Sequence, residues 1–171
     1  MRASSNSGHV RREPVGPGQE SVWDYPRPPR IEPVAKRVQV VFDGVVLADT
    51  QSAYRVLETS HPPVYYLPEG DIRMELLTRT SRSSFCEWKG VAHYYDVSHG
   101  DRRAAGAAWG YGAPSALALA LAKHVAFYAA MMDACFVDGE RVTPQPGGFY
   151  GGWITRDVVG PFKGEPGSFG W

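Results

Sequence analysis

The sequence predicts a mainly β protein: a single antiparallel β domain, folded as a curled sheet or sandwich, with at most one or two short helices. Three observations carry that expectation. Two Asp-Gly pairs, Asp43-Gly44 and Asp138-Gly139, each sit between β-rich runs, and such pairs suit two-residue hairpin turns, where both central residues take positive φ. Short apolar runs recur along the chain between turn residues, with 19 glycines and 14 prolines among the 171 residues. Only one stretch has the alanine and leucine density of a helix, which points away from bundles and from α/β alternation.

Residues 1–20 carry Ser, Asn, Gly, Arg, Glu and Pro with almost nothing to bury, the composition of a disordered tail. The ordered domain is expected over residues 21–171. It opens on a proline-rich arm, 22–33, in which proline fixes φ and biases preceding residues towards extended conformations. In "RVQVVFDGVVLADT" the turn at Asp43-Gly44 sets Phe42 opposite Val45. Val38, Val40 and Phe42 then share an apolar face with Val45 and Leu47.

Val64–Leu67 reads as a strand, followed by a turn at Pro68-Glu69-Gly70 and an extended or irregular stretch through Met74 and Leu76. "FCEWKGVAHYY" is expected to form two strands, 84–89 and 91–97, with a turn or bulge at Lys89-Gly90. A short strand follows over 104–109. "PSALALALAKHVAFYAAMM" combines alanine density with a period-two alternation. The alanines favour a helix over 115–123 with Ser115 as N-cap, and the remainder fits either state. A second hairpin is expected over 132–143. The Gly- and aromatic-rich end, 144–171, reads as a loop-rich wrap pinned by Phe149, Tyr150, Trp153, Phe162 and Trp171. Its "GPFKGEPG" lacks the spacing of a phosphate loop.

Composition narrows the function. Apolar residues make up 43% and charged residues 21%, with 18 basic and 18 acidic side chains and no formal net charge. That is the balance of an ordinary globular domain and supplies no field for nucleic acid or an anionic membrane. No apolar run approaches the length of a membrane-spanning helix, and the first residues lack a signal peptide's apolar core. A soluble, cytoplasmic protein is expected, with oligomeric state left open and a homodimer among the options. Cys86 and Cys135 are far apart, so neither a disulfide in a reducing compartment nor a zinc site is expected, and no cofactor is assigned.

The residues able to do chemistry cluster in the central β segments. With a turn at Lys89-Gly90, Cys86 would lie across from His93, a thiol beside an imidazole. Lys89 could hold a carboxylate or phosphate, or act as an amine nucleophile, with Gly90 allowing close approach of a ligand. Glu58, turned inward, would need a cation, for which Lys89 and Arg73 are the candidates. In the pairs Tyr65-Tyr66 and Tyr94-Tyr95, strand parity sends one ring to each face.

The stretches "VWDYPRPP", "VVLADTQSAYRVLETSHPPVYYLP", "CEWKGVAHYY", "HVAFY" and "GGWITRDVVGPFKGEPGSFGW" together resemble the bacterial and fungal family known as domain of unknown function 427, from about Val22 to Trp171. The resemblance implies a compact antiparallel β domain and no established reaction. It places Trp23, Tyr25, Glu58, Tyr66, Cys86, Lys89 and Tyr94 on the family's motif positions. A nucleotidyltransferase label sometimes attached to that family finds little support, because neither a Gly-Ser motif with paired aspartates nor a carboxylate cluster for two Mg²⁺ is present. Related tent-like β folds hold zinc through cysteine pairs that this sequence lacks, so the metal does not carry over.

The leading expectation is a small-molecule-binding β domain. Its pocket would hold an anionic or polar ligand and be bordered by Trp23, Tyr25, Glu58, Tyr66, Lys89 and Tyr94. It requires Glu58 and Lys89 to share a surface. Two alternatives stand beside it: an enzyme using Lys89, Cys86 or Glu58 in the same pocket, and a structural or interaction domain whose aromatic wrap buries against a partner.

Overall fold

The structure, a computed structural model, describes residues 10–171. Of the tail expected over 1–20, residues 1–9 lie outside the described residues. From Val10 the chain runs along the C-terminal wrap, where the Glu13 N–H donates to the Gly160 carbonyl at 3.0 Å.

The protein is mainly β, built on two larger antiparallel sheets. The first has seven strands in the spatial order Arg30–Val34, Ala53–Leu57, Val64–Pro68, His124–Phe127, Arg102–Tyr111, Gly90–His99 and Leu77–Cys86. The second has four, in the order Glu140–Arg141, Ala134–Val137, Val38–Phe42 and Val45–Thr50. One short parallel pair, Glu20–Ser21 with Val158–Val159, ties the two ends of the described chain together.

Both Asp-Gly turns form. Asp43 and Gly44 have φ of 49° and 73°, and Asp138 and Gly139 have 47° and 78°. Phe42 pairs with Val45 as the turn requires. A bulge at Val40/Val41 then shifts the register, and Leu47 and Ala48 both turn inward. Val45 is only half-buried, while Val38, Val40 and Phe42 are fully buried.

The core between the sheets is where strand parity takes effect. Val38, Val40, Phe42 and Leu47 from the smaller sheet meet Tyr65, Leu67, Val97, Val125 and Phe127 from the larger one. Trp153 of the wrap enters the same core, stacks on Tyr65 at 5.2 Å between ring centroids and donates its indole N–H to the Phe127 carbonyl at 3.0 Å. The opposite face of the seven-stranded sheet carries a second, aromatic cluster containing Tyr66, Tyr94, Trp109 and Tyr111. Tyr65 and Tyr66 therefore face opposite sides, as the strand period requires.

Two local expectations need correction. The helix expected over 115–123 is a 3₁₀ segment, Ala116–Leu121, interrupted by non-helical backbone at Ala118. Lys123 then takes a φ of 57°, and His124–Phe127 enters the sheet with Val125 and Phe127 on one face and Ala126 on the other. Within 116–121 only Ala118 and Leu121, three residues apart, turn inward, while Leu117 and Leu119 stay exposed, the spacing of a 3₁₀ turn rather than of an amphipathic α-helix. The stretch after Pro68 is irregular, one of the two forms expected for it, with 3₁₀ turns at Glu69–Asp71 and Met74–Leu76. The proline-rich arm likewise begins with a 3₁₀ turn, Val22–Asp24, capped by the Ser21 hydroxyl, which accepts from the Trp23 N–H at 3.2 Å.

Candidate functional site

The aromatic face of the larger sheet is only partly covered, and a cleft of about 350 Å³ opens over it. Its floor is Tyr66, Tyr94, Trp109 and Tyr111. One wall comes from the loop after Ala53–Leu57, with Glu58 and His61, and another from the Leu77–Cys86 hairpin, with Arg82, Ser84, Cys86 and Lys89. The wrap closes a third side through Gln145, Phe149 and Tyr150.

Four of the six residues expected to border a ligand site converge here: Glu58, Tyr66, Lys89 and Tyr94. Cys86 joins them. Trp23 and Tyr25 do not. Tyr25 is buried in a separate cluster with Leu57, Val158 and Phe162 and donates its hydroxyl to Glu20 at 2.8 Å. Trp23 donates its indole N–H to the Pro161 carbonyl at 2.9 Å and meets the Trp171 ring edge-on at 5.1 Å. The two rings are thus held away from the cleft, because they have already found partners elsewhere.

The turn that presents Lys89 spans residues 87–89, and Cys86 pairs with Gly90. The expected pairing of Cys86 with His93 therefore does not occur. His93 pairs with Ser83 and its Nδ1 accepts from Arg79 at 2.8 Å, whereas Cys86 packs on the aromatic face. Gly90 serves the turn. Its φ is 101°, and a Cβ there would press on the backbone of residues 113–115 rather than on open cleft. The Lys89 carbonyl accepts from the Ser115 N–H at 3.0 Å, and the Ser115 hydroxyl donates to the Trp88 carbonyl at 2.5 Å. These bonds hold the turn over the cleft.

Glu58 also has a different partner from either cation expected for it. Its carboxylate lies 3.5 Å from the Arg27 guanidinium and 3.4 Å from His61 Nε2. Arg73 instead pairs with Glu75 at 2.9 Å. Gln145 completes the group: its Oε1 accepts from the Gly152 N–H at 3.0 Å, and its amide nitrogen donates to the Lys163 carbonyl at 2.9 Å and to His61 Nδ1 at 3.1 Å. With Nδ1 accepting, the neutral imidazole carries its proton on Nε2, facing Glu58. Burial lowers the His61 pKa, the Glu58 carboxylate opposes that shift, and the positive charges of Arg27, Lys163 and Lys89 add to it. An imidazole so oriented beside a carboxylate can relay a proton.

The cations are arranged differently. The Arg82 guanidinium lies over the Tyr94 ring, 4.3 Å from its centroid, and Lys89 Nζ lies 5.9 Å from the centre of Tyr111. Neither has a carboxylate partner among the described residues. Two phenols of the floor, Tyr66 and Tyr111, are held in their neutral form. Burial raises the pKa of Tyr66, which accepts from the Trp109 indole N–H at 3.3 Å, and raises that of Tyr111 as well. Ser84 Oγ and the Tyr94 hydroxyl share a hydrogen bond of 2.8 Å. Together these groups offer two positive charges and several O–H donors above an aromatic floor.

Among the cleft residues that sequence reasoning missed are Trp109 and Tyr111 of the floor and Arg82, His61, Gln145 and Tyr150 of the walls. Arg82 sits in a polar run, and Gln145 is 84 residues from the histidine it orients. The only local hint was the i, i+3 spacing of Glu58 and His61.

None of the described helices is long and apolar enough to cross a membrane. No curated protein matches the chain. A family model does match it, over residues 30–138, a span narrower than the resemblance read from Val22 to Trp171. The matched span holds Glu58, His61, Tyr66, Arg82, Cys86, Lys89 and Tyr94 but neither Trp23 and Tyr25 nor Gln145 and Tyr150. The chain belongs to the family described as domain of unknown function (DUF427).

Proposed function

We propose that this protein binds a small anionic molecule that also carries an apolar or aromatic part. The observation that supports the reading most is the pair Lys89 and Arg82: two cations without carboxylate partners among the described residues, lining one cleft, each above a tyrosine ring. A cation held over an aromatic face keeps its charge available to a ligand while its stem covers apolar surface. Glu58 does not compete for these charges, because Arg27 and His61 flank its carboxylate. An anion would be met by the two cations and the neutral phenols, and its apolar part by the rings beneath. The partner in this reading is a small molecule rather than nucleic acid or membrane, in keeping with a formal net charge of zero. A cytoplasmic setting belongs to the same reading.

A thermal-shift screen against carboxylates, phosphate esters and their neutral analogues tests it. Hits should be anions, and their stabilisation should disappear in Lys89→Ala. Hits confined to neutral compounds, or stabilisation that Lys89→Ala retains in full, would overturn the reading.

A further inference from the structure

A second cleft, of about 190 Å³, adjoins the first at the loop 148–152. Its lining includes Ala129, Ala130, Met131 and Pro144 together with residues of the loop. Six residues belong to both clefts: Arg82, Tyr128, Gln145, Phe149, Tyr150 and Gly151. What separates them is slight. The Tyr128 hydroxyl reaches the Phe149 carbonyl at 3.5 Å, the far limit of a hydrogen bond, and the Phe149 side chain is exposed. The loop's base is firmer, since any side chain at Gly151 would run into the Trp109 ring and Gly152 donates to Gln145.

We propose that the two clefts are halves of one bipartite site, and that its ligand is an anion flanked on both sides by apolar or aromatic groups, as in a phosphodiester. This rests on the reading of the first cleft as an anion site and extends it. Arg82 is the hinge of the argument: it lines both halves and has no carboxylate partner among the described residues, so a charge centred there sits at the boundary. One group of the ligand lies over the tyrosine floor. The other lies in the second cleft against Ala129, Ala130 and Met131, a surface of small and apolar side chains with no carboxylate. The Tyr128–Phe149 contact is the point across which the ligand passes.

The test compares two monoanionic diesters of equal charge, methyl phenyl phosphate and diphenyl phosphate, by calorimetric titration. Ala130 is exposed and lines only the second cleft, so Ala130→Trp blocks that half without disturbing a core. Wild type should bind diphenyl phosphate about tenfold more tightly than the methyl ester, the order expected for burying a second ring. Ala130→Trp should abolish that preference while leaving methyl phenyl phosphate unchanged. Equal affinities in wild type, or a preference that survives Ala130→Trp, would overturn the bipartite site. Methyl phenyl phosphate binding that is lost in Lys89→Ala, with no preference for the second ring, would leave the first cleft standing and remove only this extension. Binding of neither diester would remove both.

Discussion

Gln145 donates its side-chain amide to Nδ1 of His61 at 3.1 Å, and that bond decides which nitrogen of the imidazole carries the proton. The amide cannot easily turn over, because its oxygen accepts from Gly152 and its nitrogen also serves the Lys163 carbonyl. The Nε2–H is left facing Glu58.

The His61 pKa is lowered in the folded protein, chiefly by burial, against the pull of Glu58. The unfolded chain then takes up a proton at a pH where the folded protein does not. Stability associated with His61 is present above its unfolded pKa of about 6.5 and is lost as pH falls through the lower folded value. Denaturant titrations from pH 7.5 to 4.5 should show a shallower loss of stability in His61→Gln than in wild type below about pH 6.5. Parallel curves would show that His61 does not carry this dependence.

Trp153 joins the C-terminal wrap to the inter-sheet core, so the wrap is structural before it is anything else. Trp153→Ala should cost about 3–5 kcal/mol, as for other large buried rings, measured by urea unfolding. A chain ending at Pro146 should lose cooperative unfolding for the same reason. A truncated chain as stable as the full one would contradict the place of Trp153 in the core. This outcome also bears on the idea of a wrap reserved for a partner, since its Trp153 ring is already used within the fold.

The two cysteines should behave differently towards an alkylating agent. Burial pushes the Cys135 thiol up to about 12, so almost no thiolate is present at neutral pH. Cys86 is half-buried at the wall of the larger cleft. One thiol should react in the native protein, Cys86, and a ligand in the cleft should slow it. Mass spectrometry showing Cys135 labelled first would contradict the burial described here.

How much of this could be read in the sequence depended on how local the signal was. The Asp43-Gly44 hairpin was legible because its turn chemistry and its alternation lie within a dozen residues. The bulge at Val40/Val41 was not, because it answers to packing against the other sheet. The Ala-Leu stretch does not form the expected helix, because alanine density signals helix without regard to packing and here only Ala118 and Leu121 find a buried surface. In the site, Glu58, Tyr66, Lys89 and Tyr94 fall together through strand order, which parity alone could only suggest. Trp23 and Tyr25 were aromatic for the sake of the wrap, not the cleft.

The central claim is that Lys89 and Arg82 hold an anion above the tyrosine floor. Calorimetric titration of methyl phenyl phosphate into wild type, Lys89→Ala and Arg82→Ala tests it most directly. Each substitution should weaken binding by about tenfold or more, as expected for loss of a charge-assisted contact, and wild-type affinity should fall as salt is raised. Equal affinity in all three proteins, at any salt concentration, would contradict the account.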